Sequence, residues 1–150
     1  MILIDTSAWV EYFHDGDPGV TAAVDNALAV HRVVMGDLVY CEVMQGLRVR
    51  RDREAVADMF SALPRVDLVG FANAEKAAAN YRRMRSRGVT VRKTVDVLIA
   101  TFCAENGYWL MHHDRDFDLM APHIPFTIFS VSPGKPDLSS PPQLPDSGRV

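Results

Sequence analysis

Apolar positions along the chain fall into short unbroken runs separated by longer stretches with helical spacing. MILI at 1–4, RVVMG at 32–36, VDLV at 66–69, YWLMH at 108–112 and PFTIF at 125–129 are too short for helices and lack the alternation of a half-exposed strand. They predict strands buried on both faces. Helical patterns fill the intervals. One covers 7–14 with Thr6 or Ser7 as its cap, and a second runs from Asp17-Pro18 to about Val30. Others cover 38–50 behind Asp37 as cap, 53–63 ending at Pro64, 73–88 closed by Gly88, 94–106 closed by Gly107, and a turn or two at 115–120. Strands alternating with helices predict an α/β protein, a three-layer α/β/α arrangement around a central, mainly parallel sheet.

The pattern stops near Val131. Residues 132–150, SPGKPDLSSPPQLPDSGRV, are rich in proline and serine and nearly free of apolar side chains. Such a segment cannot offset its ordering entropy, so it predicts a disordered tail behind a single domain of residues 1–131. No apolar stretch reaches the roughly 18 residues of a membrane span. MILIDTSAW lacks the basic region, apolar core and cleavage site of an export signal. A cytoplasmic protein is expected. The two cysteines, Cys41 and Cys103, have no CxxC spacing and sit in apolar helical patterns, which predicts reduced core residues.

Charge changes the picture only locally. The formal net charge of -3 gives no overall signal for nucleic acid, yet ten of the 16 Lys and Arg residues lie in RVRRDR (48–53) and RRMRSRGVTVRK (82–93). Guanidinium groups grip phosphate in a bidentate way, so Arg85, Arg87 and Arg92 are candidate contacts for a phosphodiester substrate. A solvated helix face is the plainer reading of either stretch alone.

The acids carry more. In TVDVLIATFCA at 94–104, Asp96 is the lone carboxylate of an apolar run that has to be buried. A buried carboxylate needs a partner or a metal. Asp5 ends the first predicted strand, Asp114 and Asp116 follow the fourth, and Glu42 lies inside a helix; ligands of parallel sheets bind at the strands' carboxyl ends. Taken singly, Asp96 suits a helix's first turn, Asp114 suits a cap and Glu42 suits solvent. Together they cannot be left uncompensated. Two carboxylates about 4 Å apart repel by roughly 4 kcal/mol at an effective dielectric near 20, so a cluster of four calls for a cation.

Asp-Thr-Ser at 5–7 after MILI, EVMQGL at 42–47, TVDVLIA at 94–100 and HDRDF at 113–117 together resemble the PIN domain, and in particular the VapC-type toxin ribonucleases. The resemblance spans residues 1 to about 130. It implies a magnesium- or manganese-dependent endoribonuclease, the toxin of a type II toxin–antitoxin pair, homodimeric, with a VapB-type antitoxin and RNA as partners. By the same resemblance Asp5, Glu42, Asp96 and Asp114 form the catalytic acidic quartet, Asp116 is a further metal-binding acid and Ser7 a polar residue beside the first Asp. Asp5, Asp96, Asp114 and Asp116 then bind metal, Glu42 orients or deprotonates the attacking water, and Ser7 contacts substrate, to which the basic stretches of this sequence add Arg85, Arg87 and Arg92 as contacts for the RNA backbone.

Other readings fit less well. A haloacid-dehalogenase-like phosphatase needs an acid two residues after the first Asp, where Ser7 stands, and a receiver domain needs an adjacent acidic pair near the first strand. A PIN-like module that binds RNA or protein without cutting is the alternative from another class. His112 and His113 are neighbours in a strand and point to opposite faces, so they do not readily share an ion. Trp9, Tyr12 and Phe13, at helical spacing, are read as packing residues.

Overall fold

The first apolar run becomes β1 (Ile2–Ile4), buried along its whole length because it lies in the middle of the sheet with strands on both sides. A computed structural model describes residues 1–30 and 32–129. The proline-rich segment 132–150, expected to be disordered, and the proposed boundary at 131 lie outside the described residues. After β1 come α1 (Thr6–Phe13), α2 (Pro18–Ala29), β2 (Val33–Gly36), α3 (Asp37–Gly46), α4 (Arg50–Ser61) and β3 (Arg65–Val66). The second half holds α5 (Phe71–Ser86), α6 (Thr94–Asn106), β4 (Trp109–Met111), α7 (Arg115–Met120) and β5 (Thr127–Ile128).

The strands form one sheet in the order β3-β2-β1-β4-β5. Every pairing is parallel, with Ile2 opposite both Val33 and Trp109, and Leu3 opposite Val34 and Leu110. From β1 the chain steps outward to β2 and β3, then crosses back to β4 and β5. Because parallel crossovers are right-handed, the two directions put α1–α4 on one face and α5–α7 on the other. The three-layer α/β/α expectation holds.

Element boundaries depart from the expectations for identifiable reasons. The strand expected at 66–69 is only Arg65–Val66, since β2 turns into α3 after Gly36 and leaves nothing beyond Val66 to pair with. The Leu68 amide instead donates to Asp37 Oδ1 at 2.9 Å. Asp37 is therefore not the cap of α3: Gly36 takes that position, and a Cβ there would lie 2.4 Å from the Leu68 side chain. The helix expected over 38–50 stops at Gly46, and the next starts at Arg50. Arg53 Nη1 ties the break together by donating to the Leu47 and Arg48 carbonyls at 3.0 and 2.9 Å. Cys103 is buried as expected, but Cys41 is exposed, because on α3 it is Val39 and Val43 that face the core.

Two packing centres flank the sheet. On one face Trp9, fully buried, has ring centres at 5.0 Å from Phe60 and 5.7 Å from Phe13, so the aromatic run of α1 serves packing. Burial of each such side chain is worth on the order of 2–3 kcal/mol. On the other face α5 fixes α6 through polar contacts: Asn73 Nδ2 donates to Leu98 O at 3.0 Å and Asn80 Nδ2 to Thr101 Oγ1 at 2.9 Å.

Helix α6 ends as the sequence predicts, at Gly107 with φ 64 and ψ 36, a left-handed conformation that costs side-chain-bearing residues about 1 kcal/mol. Gly107→Ala should therefore lower the melting temperature by roughly 3–5 °C while leaving the far-ultraviolet circular dichroism unchanged. A melt of the two proteins side by side checks it.

Candidate active site

The sheet changes direction between β1 and β4, and at such a switch point the segments leaving neighbouring strands part and open a crevice at their carboxyl ends. Asp5 is the first residue after β1, and Asp114 is the third after β4. A cleft of about 370 Å³ opens there, lined by Asp5, Ser7, Glu42, Lys93, Asp96 and His113 among others. A larger cavity of about 540 Å³ adjoins it past His113 and Asp114. The smaller cleft gathers Asp5, Glu42 and Asp96, while Asp114 lines the larger one.

Asp5, the strand-end acid of the expected quartet, is also the cap of α1 in place of Thr6 or Ser7. Its Oδ2 accepts from the Ser7 amide at 2.8 Å and from Ser7 Oγ at 2.6 Å. Ser7 Oγ in turn accepts from the His113 amide at 2.9 Å, which ties α1 to the segment after β4. The carboxylate is only 4% exposed, and burial raises its pKa, against the Ser7 bonds that lower it. Glu42 comes from α3 with its Oε2 accepting from Thr6 Oγ1 at 2.7 Å.

Asp96, in the first turn of α6, is 3% exposed, and its Oδ2 is buried with no hydrogen-bond partner. Burial is the main reason its pKa rises from 3.8 to about 7; Lys93 opposes the rise, while Asp5, Asp114 and Glu42 add to it. The mutual effect of these charges marks the four acids as one electrostatic cluster. Asp114 differs. It caps α7, its Oδ1 accepts from the Asp116 amide at 3.0 Å, and its Oδ2 lies 3.5 Å from Lys93 Nζ. These contacts, the Asp116 amide first, lower its pKa.

The remaining candidates are more scattered. Asp116 is buried, but its Oδ1 faces the Arg92 guanidinium at 3.6 Å, so Asp116 and Arg92 partner each other beside the cleft. Arg85 and Arg87 sit at the end of α5 and do not line the cleft. His112 is enclosed against Phe117, with ring centres 5.0 Å apart, and burial lowers its pKa. β4 ends at Met111, so neither histidine lies in the strand where they were expected; His113 lines the cleft and both line the larger cavity.

Lys93 was visible in the sequence only as one member of a basic stretch. Its signal was its spacing: three residues ahead of Asp96, at the cap position of α6, it projects beside the acid. Its pKa is raised, by Asp96 first and then Asp114 and Asp5. Thr6, read as a possible cap, instead holds Glu42.

Among the described residues no group of three or more His, Cys, Asp and Glu side chains is gathered closely enough to enclose an ion by itself. The donor set instead suits a hard cation that keeps much of its water and touches one or two carboxylates, as Mg²⁺ does. The unpartnered Asp96 Oδ2 fits such an ion, with Asp5 and Asp114 the neighbours able to share it.

A parallel α/β sheet with an acidic cleft at its switch point defines the class, and comparison with known proteins defines the family. The PIN domain family profile matches residues 2–121. The chain is 33% identical over 123 residues to a VapC ribonuclease of Mycobacterium bovis and to ribonuclease VapC11 of Mycobacterium tuberculosis, covering 81% of this chain and 92% of theirs. It belongs to the PIN domain family and is of the VapC type. In fold it matches solved structures of VapBC2 from Rickettsia felis bound to a promoter DNA fragment (TM-score 0.63, 18% identity, 85% of this chain and 96% of that one). DNA-bound VapBC from Salmonella typhimurium gives a TM-score of 0.65 at 16% identity, over 85% and 94% of the two chains.

A raised carboxylate pKa means that the folded state holds a proton the unfolded chain has lost. The stability contributed by protonated Asp96 is complete below about pH 4 and disappears as pH rises through about 7. Without divalent ions the wild type should lose up to about 4 kcal/mol of stability between pH 4 and 8 that Asp96→Asn keeps. His112 titrates with the opposite sign but is present in both proteins, so paired melts across this range isolate Asp96.

Proposed function

We propose that this protein is a Mg²⁺-dependent endoribonuclease, Mn²⁺ being an alternative ion, and the toxin of a VapBC-type toxin–antitoxin pair. The observation that carries this reading is the Asp96 Oδ2: buried, unpartnered, and in one cleft with Asp5 and Glu42. A fold has no structural reason to bury such an atom unless something else completes it. Similarity to proteins named as VapC ribonucleases supplies the substrate class, and the solved complexes named VapBC suggest a VapB-type antitoxin as partner. A homodimer and a cytoplasmic setting belong to the same reading. Among the described residues no helix is long and apolar enough to cross a membrane.

A bound divalent ion would supply a Lewis acid for the phosphoryl oxygens and a water of lowered pKa. Asp96 and Asp5 would hold it, with Asp114 as a third contact and Asp116 a more distant one through Asp114's loop. Ser7 fixes Asp5 in one rotamer through two bonds to the same oxygen, so this ligand is oriented before any ion arrives. Glu42, oriented by Thr6, has the proton-accepting capacity to align or deprotonate the attacking water. Enclosure of the acids in a cleft keeps bulk water from screening them.

Thermally folded Asp5→Asn and Asp96→Asn proteins should cut a fluorogenic RNA at least about a hundredfold more slowly than wild type in Mg²⁺, since each removes a charge the ion requires. Wild-type rates in Asp96→Asn would leave the non-catalytic binding module as the reading.

Arg85, Arg87 and Arg92 would hold the RNA backbone outside the cleft. Replacing Arg85 and Arg87 with Ala should weaken RNA binding and lower the slope of log affinity against log salt by about 0.7 for each lost phosphate contact. Binding titrations at several salt concentrations give the slope directly.

A further inference from the structure

The acidic cleft contains its own cation. Of the described residues lining it, Lys93 is the one Lys or Arg. It is tethered three residues before Asp96, and its Nζ stands 3.5 Å from Asp114 Oδ2 with the side chain 60% exposed. That distance is beyond a good charge-assisted hydrogen bond, and the exposure leaves the ammonium free to move. Lys93 does not complete the site either, because Asp96 Oδ2 remains unpartnered. The cleft thus holds a mobile positive charge that satisfies its acids in part, at the place where a divalent ion would satisfy them more fully.

We propose that Lys93 is a tethered counter-ion that occupies the cleft in the metal-free protein, competes with the divalent cation for Asp114, and once displaced is presented to the substrate's phosphate. This rests on the nuclease reading above for its last step alone. An ion of +2 in place of an ammonium of +1 would leave the acids one charge nearer neutrality, and the freed ammonium would then be available to a phosphodiester of -1. A long flexible stem with a point charge suits this exchange better than a planar guanidinium, which would stay locked on one carboxylate.

The test is Mn²⁺ binding without RNA, followed by electron paramagnetic resonance and calorimetry, on wild type, Lys93→Met, Lys93→Gln and Arg51→Gln. The Lys93 side chain is largely exposed, so both of its variants should fold, and circular dichroism verifies that. Lys93→Met and Lys93→Gln should bind Mn²⁺ about three- to tenfold more tightly than wild type. Arg51→Gln, which removes an equal charge from the exposed side of α4 outside the cleft lining, should change affinity less than twofold. In a Glu42→Gln background with Mn²⁺ present, where the acids proposed to hold the ion are intact and RNA cleavage is slowed, adding Lys93→Met should lower the salt slope of RNA binding by about 0.7, one phosphate contact. Unchanged or weaker Mn²⁺ binding in both Lys93 variants, an equal gain in Arg51→Gln, or no saturable Mn²⁺ binding in any protein would overturn the competition. An unchanged salt slope would overturn the phosphate contact. Tighter Mn²⁺ binding by the Lys93 variants in a protein that cuts no RNA would sustain the competition while overturning the nuclease reading, so the two fail separately.

Discussion

The structure turns on one awkward placement, a carboxylate at the buried end of the central strand. Asp5 follows three fully buried residues, and its amide donates to Met111 O at 2.8 Å, which continues the β1–β4 ladder one residue further. The backbone therefore cannot swing the side chain out to water without breaking the sheet. Its compensation comes from Ser7, which caps it from the first turn of α1 and through the same hydroxyl holds the His113 amide. One carboxylate thus fixes the start of α1, the end of β1 and the segment after β4, three of the segments that border the crevice.

The other acids show how differently one fold can treat the same chemical group. Asp114 sits in a cap with an amide and an ammonium nearby, so its charged form is favoured. Asp96, buried in the first turn of α6, has no donor on Oδ2 and is held toward its neutral form by burial. Carboxylates whose environments push their pKa values apart in one cleft are a pattern associated with function, although structural networks can produce it too. Here the structural explanation is incomplete, since an unpartnered buried oxygen stabilises nothing. Sites of this kind are where a protein departs from its own folding rules.

Solved VapBC structures with 16–18% identity share this fold. That is intelligible from what the architecture demands. The strands need only be short, apolar and buried on both faces, a requirement many combinations of Val, Ile, Leu and Met satisfy. The crevice arises from strand order, not from particular surface residues. Most exposed positions, including the exposed arginine side chains of α4 and α5, are free to vary without touching either condition.

The sequence by itself determined the architecture and most of the acids in the cleft. Five apolar runs, glycine stops at Gly88 and Gly107, and Pro18 behind Asp17 are local signals that act over a few residues, and each appears in the structure. Asp96 could be singled out because a lone charge in a buried run is anomalous wherever the run ends up. Other features depended on contacts between distant segments. That β3 stops at Val66 follows from the length of β2, and that Asp37 braces Leu68 follows from residues 31 positions apart. Cys41 faces outward because Val39 and Val43 claim the core side of α3. The role of Lys93 needed Asp114, 21 residues on, to be brought beside it by the β1–β4 pairing, and its charge reads as surface decoration until that happens. Periodicity and composition record which residues must leave water; which charges meet once they have done so is decided by strand order and crossover handedness, and neither is written in any single stretch of chain.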